Sequence, residues 1–171
     1  MKIICVAGGS YKSFYLNYFI NLSSCDLLIF NFGIIYDYDI CKELTGSALV
    51  TRELMMLSKK LKAIVVAGVN IVYKGKTDKS IIVCDGEKIH ISNVKIGAKI
   101  YIKKTSFVIG DESTQYKSNN KIILSSKRIY PNLTHCSKRK IYIFFDKFGV
   151  CLVENGKIKR KFNKFSKIIL K

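Results

Sequence analysis

The sequence predicts an α/β fold whose first half is built on a largely parallel sheet. Two observations carry that expectation. Short apolar runs, several stopped by glycine, alternate with helically spaced stripes through the first 95 residues. After residue 62 the helical stripes stop, and only strand-like runs separated by turn residues remain. With 171 residues, 49% of them hydrophobic, the chain is long enough to bury a substantial core as one domain.

Residues 2–7 (KIICVA) have the pattern of a short buried strand, ended by Gly8-Gly9. Ser10 suits the N-cap of a following helix, where Phe14, Tyr15, Tyr18, Phe19 and Leu22 fall on one face. Core packing accounts for that stripe without a cofactor. Residues 26–32 form the second strand. The acidic loop IIYDYDIC leads to a second helix, with Val50, Leu54, Leu57 and Leu61 as its buried stripe. Lys59, Lys60 and Lys62 gather at its end, where the helix dipole is negative. AIVVAGVNIVYKG reads as the third strand, KGKTDK as a turn, and SIIVCDG and EKIHISNVK as two more strands. Strands alternating with helices imply right-handed crossovers.

Beyond residue 95, IGAKIYIKKTSFVIG and NKIIL read as strands, with turn-rich DESTQYKSNN ahead of NKIIL. SSKRIYPNLTHCSKRK is a polar, basic connection that holds the single proline. KIYIFFDKFGVCLVENGKIKRKF reads as paired hairpins, with Asn155-Gly156 as a tight turn. No internal repeat is visible. The expected organisation is one domain over 1–171: β-α-β-α-β plus a hairpin over 1–95, then a mostly β, strongly basic 96–171.

The net charge of +18 is uneven. Residues 1–94 carry 11 basic and 8 acidic side chains, whereas residues 95–171 carry 19 and 4. A surface of that kind attracts polyanions by counterion release. The cluster Lys157, Lys159, Arg160, Lys161, Lys164 and Lys167, with Phe162 and Phe165 among the charges, is the candidate nucleic-acid-binding patch. A bland origin competes with it. Lysine far outnumbers arginine and there is no tryptophan, a composition that an AT-rich genome encodes without selection for a ligand.

The six cysteines (Cys5, Cys25, Cys41, Cys84, Cys136, Cys151) include no C-x-x-C pair. Four lie in or beside apolar runs, where free cysteine behaves as a small hydrophobe, so neither a metal nor another cofactor is expected. The apolar start before Gly8-Gly9 is too short for a signal-peptide core, and no apolar run reaches the length of a membrane span. The expectation is a cytoplasmic protein.

From Asp26 to Lys95 the order of parts resembles the amino-terminal half of the nitrilase, or carbon–nitrogen hydrolase, superfamily. DLLIF leads to a loop, then to a helix holding ELMMLSKKLKA, then to IVVAG, a turn, SIIVCDG, and Lys95 nine residues past Gly86. The resemblance implies an αββα sandwich, here incomplete at the C-terminal side. It also implies a mechanism in which a cysteine forms a thioester, a glutamate is general base and a lysine supports the oxyanion. Only the lysine carries over, as Lys95. Phe32, in Phe30-Asn31-Phe32, stands at the place of the base. Phe144, in Ile143-Phe144-Phe145-Asp146, stands at the place of the nucleophile, and Cys136 in THCSKRK is the other thiol within reach.

A benzyl ring accepts no proton, and without a base a thiol keeps a pKa near 8.5. Lesser candidates have plainer readings. Cys136 and His135 are adjacent, so on an extended chain their side chains diverge. Gly8-Gly9-Ser10 would cradle an anion at a helix start but lacks the lysine ending of a phosphate loop. Asp37 and Asp39 fit a solvated loop. The leading reading is a non-catalytic nitrilase-like protein that self-associates through exposed apolar surface. A polyanion-binding module and an amidase with an unorthodox thiol are the alternatives.

Overall fold

The structure is a computed structural model, and it describes residues 1–6, 24–30, 38–39, 49–73, 76–93, 96–102, 105–110, 122–125, 136, 138–146, 149–162 and 165–169. The expected helix over Phe14–Leu22 lies outside them. In chain order the elements are β1 (Lys2–Val6), β2 (Leu27–Phe30), β3 (Tyr38–Asp39), α1 (Leu49–Leu61), β4 (Ile64–Tyr73), β5 (Lys76–Cys84), β6 (Ile89–Asn93) and β7 (Ala98–Ile102). There follow β8 (Thr105–Gly110), β9 (Ile122–Ser125), β10 (Ile141–Asp146), β11 (Gly149–Glu154), β12 (Lys157–Phe162) and β13 (Phe165–Ile169).

Two sheets form. The first runs β13-β1-β2-β4-β5-β6 with β3 on β4, and the second runs β12-β11-β10-β9-β8-β7. Each has a parallel trio, β1-β2-β4 in one and β8-β9-β10 in the other. Each trio is flanked by one antiparallel strand on one side, β13 or β7. Two antiparallel strands flank it on the other side, β5-β6 or β11-β12. The two sheets therefore repeat one strand pattern, although the residues show no repeat. The chain changes sheet twice, between β6 and β7 and between β12 and β13.

Side-chain alternation explains why β1 and β2 read as continuous apolar runs, because both faces are covered. Ile3, Cys5, Leu27 and Ile29 point into the core between the sheets with Ile100, Phe107, Ile109, Ile143 and Leu152. Ile4, Val6, Leu28 and Phe30 point the other way, onto Leu54, Leu57 and Leu61 of α1. Leu54 and Leu57 are fully buried, each contributing roughly 1.5–3 kcal/mol of apolar transfer. The second sheet carries a smaller outer cluster of Cys136, Tyr142, Phe144, Cys151 and Val153. Among the described residues no helix covers it, so the layers present are α, β and β.

Local chemistry sets the boundaries. The amides of Lys62 and Ala63 donate to the carbonyls of Lys59 and Ser58, at 3.3 and 3.2 Å, and close α1. Lys62 takes the left-handed conformation (φ 50°) that this closure requires. At the hairpin after β11 both Asn155 (φ 54°) and Gly156 (φ 70°) are left-handed, as a two-residue primed turn needs. No helix among the described residues is long and apolar enough to cross a membrane.

Candidate functional site

In α/β sheets, chemistry concentrates at the carboxyl ends of parallel strands. In the first sheet the register aligns Val6, Phe30 and Ala67 at that end. Phe30 is fully buried, and its ring is held in the cluster beneath α1. Asn31 and Phe32 lie outside the described residues. In the second sheet the register aligns Gly110, Ser125, Phe144, Cys151 and Lys161. That row contains no carboxylate. It contains one hydroxyl and one thiol, on Ser125 and Cys151.

Phe144 is 1% exposed and stacks with Tyr142, the ring centroids 5.8 Å apart and the planes 6° from parallel. It faces the outer cluster, whereas its neighbour Ile143 faces the core between the sheets. Cys136, buried in the same outer cluster, packs with it. The turn at Gly156 closes over this segment, its α-carbon facing the Cys136 carbonyl. The two nucleophile positions considered from sequence are thus brought together, in a packed apolar setting.

The five described cysteines are all buried, and none is in a disulfide. Burial pushes the thiols of Cys5 and Cys84 up to about 12, with Asp85 adding to the effect on Cys84. Burial also raises Cys25, against the pull of Lys2, and Cys151, against the pull of Lys161. A thiol held protonated is a poor nucleophile. Among the described residues no group of three or more His, Cys, Asp or Glu is placed to hold a metal ion.

Lys95 lies outside the described residues, as do His135, Gly8-Gly9-Ser10, Asp37, Cys41 and Lys164. Asp39 belongs to β3, in register with Val72. Lys157, Lys159 and Lys161 are exposed on β12, an edge strand of the second sheet. Between Leu152 and Val153 the register shifts, so Leu152 pairs with Arg160, Val153 with Ile158, and Lys159 is the extra residue of a bulge. Lys161 then shares the outer face of Cys151, while Lys157, opposite Glu154, falls on the other face. Without the bulge their spacing of four would put them on one face.

One polar atom stands out. Glu53 Oε2 on α1 is buried with no hydrogen-bond partner, and burial raises that carboxyl. No signal in the sequence marks it, since a lone glutamate in an amphipathic helix reads as solvated.

The sequence matches no family model and no curated relative. Solved structures do match. A CN-hydrolase superfamily protein of Xanthomonas campestris, XC1258, with an arsenic adduct in its active site, superposes with a TM-score of 0.69. The alignment covers 98% of this chain and 89% of that one at 8% identity. An amidase of the nitrilase superfamily from Nesterenkonia AN1 gives a TM-score of 0.65, covering 98% and 88% at 8% identity. A form of the Nesterenkonia amidase with acrylamide added at its active-site cysteine gives 0.64, covering 98% and 91% at 7% identity.

The chain has the nitrilase fold.

The expectation drawn from DLLIF, IVVAG and SIIVCDG therefore holds for the scaffold. The nitrilase fold accounts for the paired sheets and for α1 on the outer face of the first. At 8% identity it leaves the chemistry to be argued from this chain's own residues.

Proposed function

We propose that this protein keeps the nitrilase fold without its hydrolytic chemistry. The observation that carries the reading is the state of the thiols: every described cysteine is buried, and each thiol whose pKa is displaced is displaced upward. Cysteine acyl transfer needs the opposite, a thiolate beside a base. Phe144, which stands at the nucleophile's place in the resemblance, is a buried ring of the outer cluster and offers neither thiol nor base. Rate enhancements of roughly 10⁶-fold or more are typical of enzymes, and a lone Lys95 would supply neither base nor nucleophile. Buried cysteines used as core residues outside any disulfide suit a reducing compartment such as the cytoplasm.

Thiol labelling tests this reading. With an aromatic disulfide reagent at neutral pH, the native protein should show no cysteine that reacts faster than free cysteine. One equivalent reacting far faster would favour an amidase with an unorthodox thiol, with Cys136 and Cys41 the first to map.

A second reading is supported by the three exposed lysines of β12, which lie in the half of the chain that carries most of the charge. On this reading the edge, with Arg160 and Lys164, binds nucleic acid or another polyanion. Binding to random-sequence DNA should then weaken steeply with salt. A slope near zero would remove it.

A further inference from the structure

The hairpin turn after β11 meets a second basic segment. A side chain at Gly156 would place its first carbon 3.5 Å from the Cys136 carbonyl oxygen and 3.7 Å from Lys138 Cγ. Gly156 is left-handed (φ 70°) and carries no such atom, so the segment ahead of β10 lies against the turn. Lys138 and Arg139 form a turn of that segment, and both are exposed. Lys157 follows Gly156 in the chain, and Lys159 is the extra residue of the β12 bulge; both are exposed as well.

Cationic side chains from two distant stretches of sequence therefore gather around Asn155-Gly156, and little opposes them. The acidic side chains of residues 95–171 are Asp111, Glu112, Asp146 and Glu154. Glu154 is in register with Lys157, whereas Asp146 stands at the far end of the β10–β11 pair, opposite Gly149. Asp111 and Glu112 lie outside the described residues. Of the large apolar side chains exposed among the described residues, Ile158 is the one on this hairpin. Protein partners anchor on aromatic and apolar groups, and this surface offers a single isoleucine. A phosphodiester backbone asks for cations alone.

We propose that Lys138 and Arg139, set against the Gly156 turn, complete with Lys157 and Lys159 a site for the phosphodiester backbone of nucleic acid. The proposal deepens the polyanion reading of β12 and rests on it. The net charge of +18 draws such a ligand from a distance, and these residues receive it. Lysine meets phosphate as a strongly hydrated point charge, and arginine adds a fork that can hold two phosphate oxygens. Contacts of this kind carry no base information, so the site takes any sequence. No local signal in the sequence shows it, because the two basic segments meet only once β10 and β11 have paired.

Fluorescence anisotropy of the full chain with a short random-sequence DNA duplex, titrated at several salt concentrations, tests it, with circular dichroism to verify folding. For the wild type, the logarithm of the binding constant should fall with that of the salt concentration by about 0.9 per phosphate contact. Lys138→Ala with Arg139→Ala should flatten the slope by about 1.8, and so should Lys157→Ala with Lys159→Ala. Arg52→Ala with Lys60→Ala removes the same charge from exposed positions on α1 and should leave the slope unchanged. If the Lys138 and Arg139 double variant does not fold, Lys138→Gln, at an exposed side chain, should flatten the slope by about 0.9. A steep wild-type slope that the β12 double variant flattens and the Lys138 and Arg139 variant does not would overturn the proposal and leave the polyanion reading standing. An equal loss in the α1 variant would overturn it in the same way. A flat wild-type slope would remove both. Loss of poly-glutamate binding with the DNA slope unmoved would assign the turn to an acidic protein and overturn the proposal too.

Discussion

The backbone amide of Lys2 donates to Asp26 Oδ2 at 2.8 Å, and the amide of Asp26 donates back to the Lys2 carbonyl at 2.9 Å. The Asp26 carbonyl also accepts from the amide of Ile64 at 3.2 Å. One residue thereby ties the starts of β1, β2 and β4. Asp26→Ala keeps the backbone contacts but strips the Lys2 amide of its carboxylate partner. It should lower stability by about 1–3 kcal/mol, the cost of a lost charge-assisted hydrogen bond. Urea unfolding should show a lower midpoint with an unchanged slope.

Ser58 does similar work at the other end of the layer. Its hydroxyl donates to the Ala63 carbonyl at 2.6 Å and has the Cys84 carbonyl as a second acceptor at 3.2 Å, with the side chain 1% exposed. Ser58→Ala removes that donor from buried carbonyls. The expected loss is about 1–2 kcal/mol in the same unfolding measurement.

Lys62 offers a change in the opposite direction. It holds φ 50° at the end of α1, a conformation that costs a side-chain-bearing residue roughly 1–2 kcal/mol and glycine almost nothing. Part of that gain is offset by glycine's greater freedom in the unfolded chain. Lys62→Gly should raise stability by about 0.5–1 kcal/mol, and a thermal scan should show a higher Tm.

Alkaline pH should destabilise the fold. Cys5 and Cys84 have thiols pushed up to about 12 by burial, while an unfolded thiol ionises near 8.5. A raised folded pKa favours the protonated, folded state. The contribution is whole below about 8.5 and is lost as pH rises toward 12, at about 1.4 kcal/mol per pH unit per thiol. Cys5→Ala should flatten the decline of stability between pH 9 and 11 by one thiol's share, even though it lowers stability at pH 7 by loss of packing.

Much of the first half was legible because its signals are local. Glycine-stopped runs marked β1, β2 and β4, and the spacing of Leu54, Leu57 and Leu61 marked α1. Asn155-Gly156 fixed the hairpin between β11 and β12 through backbone conformation alone. The second half was harder to read, because β8, β9 and β10 pair in parallel across long intervening segments. Nor does any local signal show that β13 pairs with β1. The site suffered for the same reason. The string IFFD suggested Phe144 as the nucleophile's place, and only strand alternation shows that its ring packs in the outer cluster. The register row joining Gly110, Ser125, Phe144 and Cys151 depends on pairings between distant segments. The bulge at Lys159 was equally hidden, since it is a mismatch between two strands rather than a feature of one.

Ammonia release from a simple aliphatic amide, measured with the full chain and its Lys95→Ala variant side by side, is the most direct test of a nitrilase fold without hydrolysis. Neither protein should release ammonia above the buffer rate. Turnover by the wild type that disappears in Lys95→Ala would contradict it.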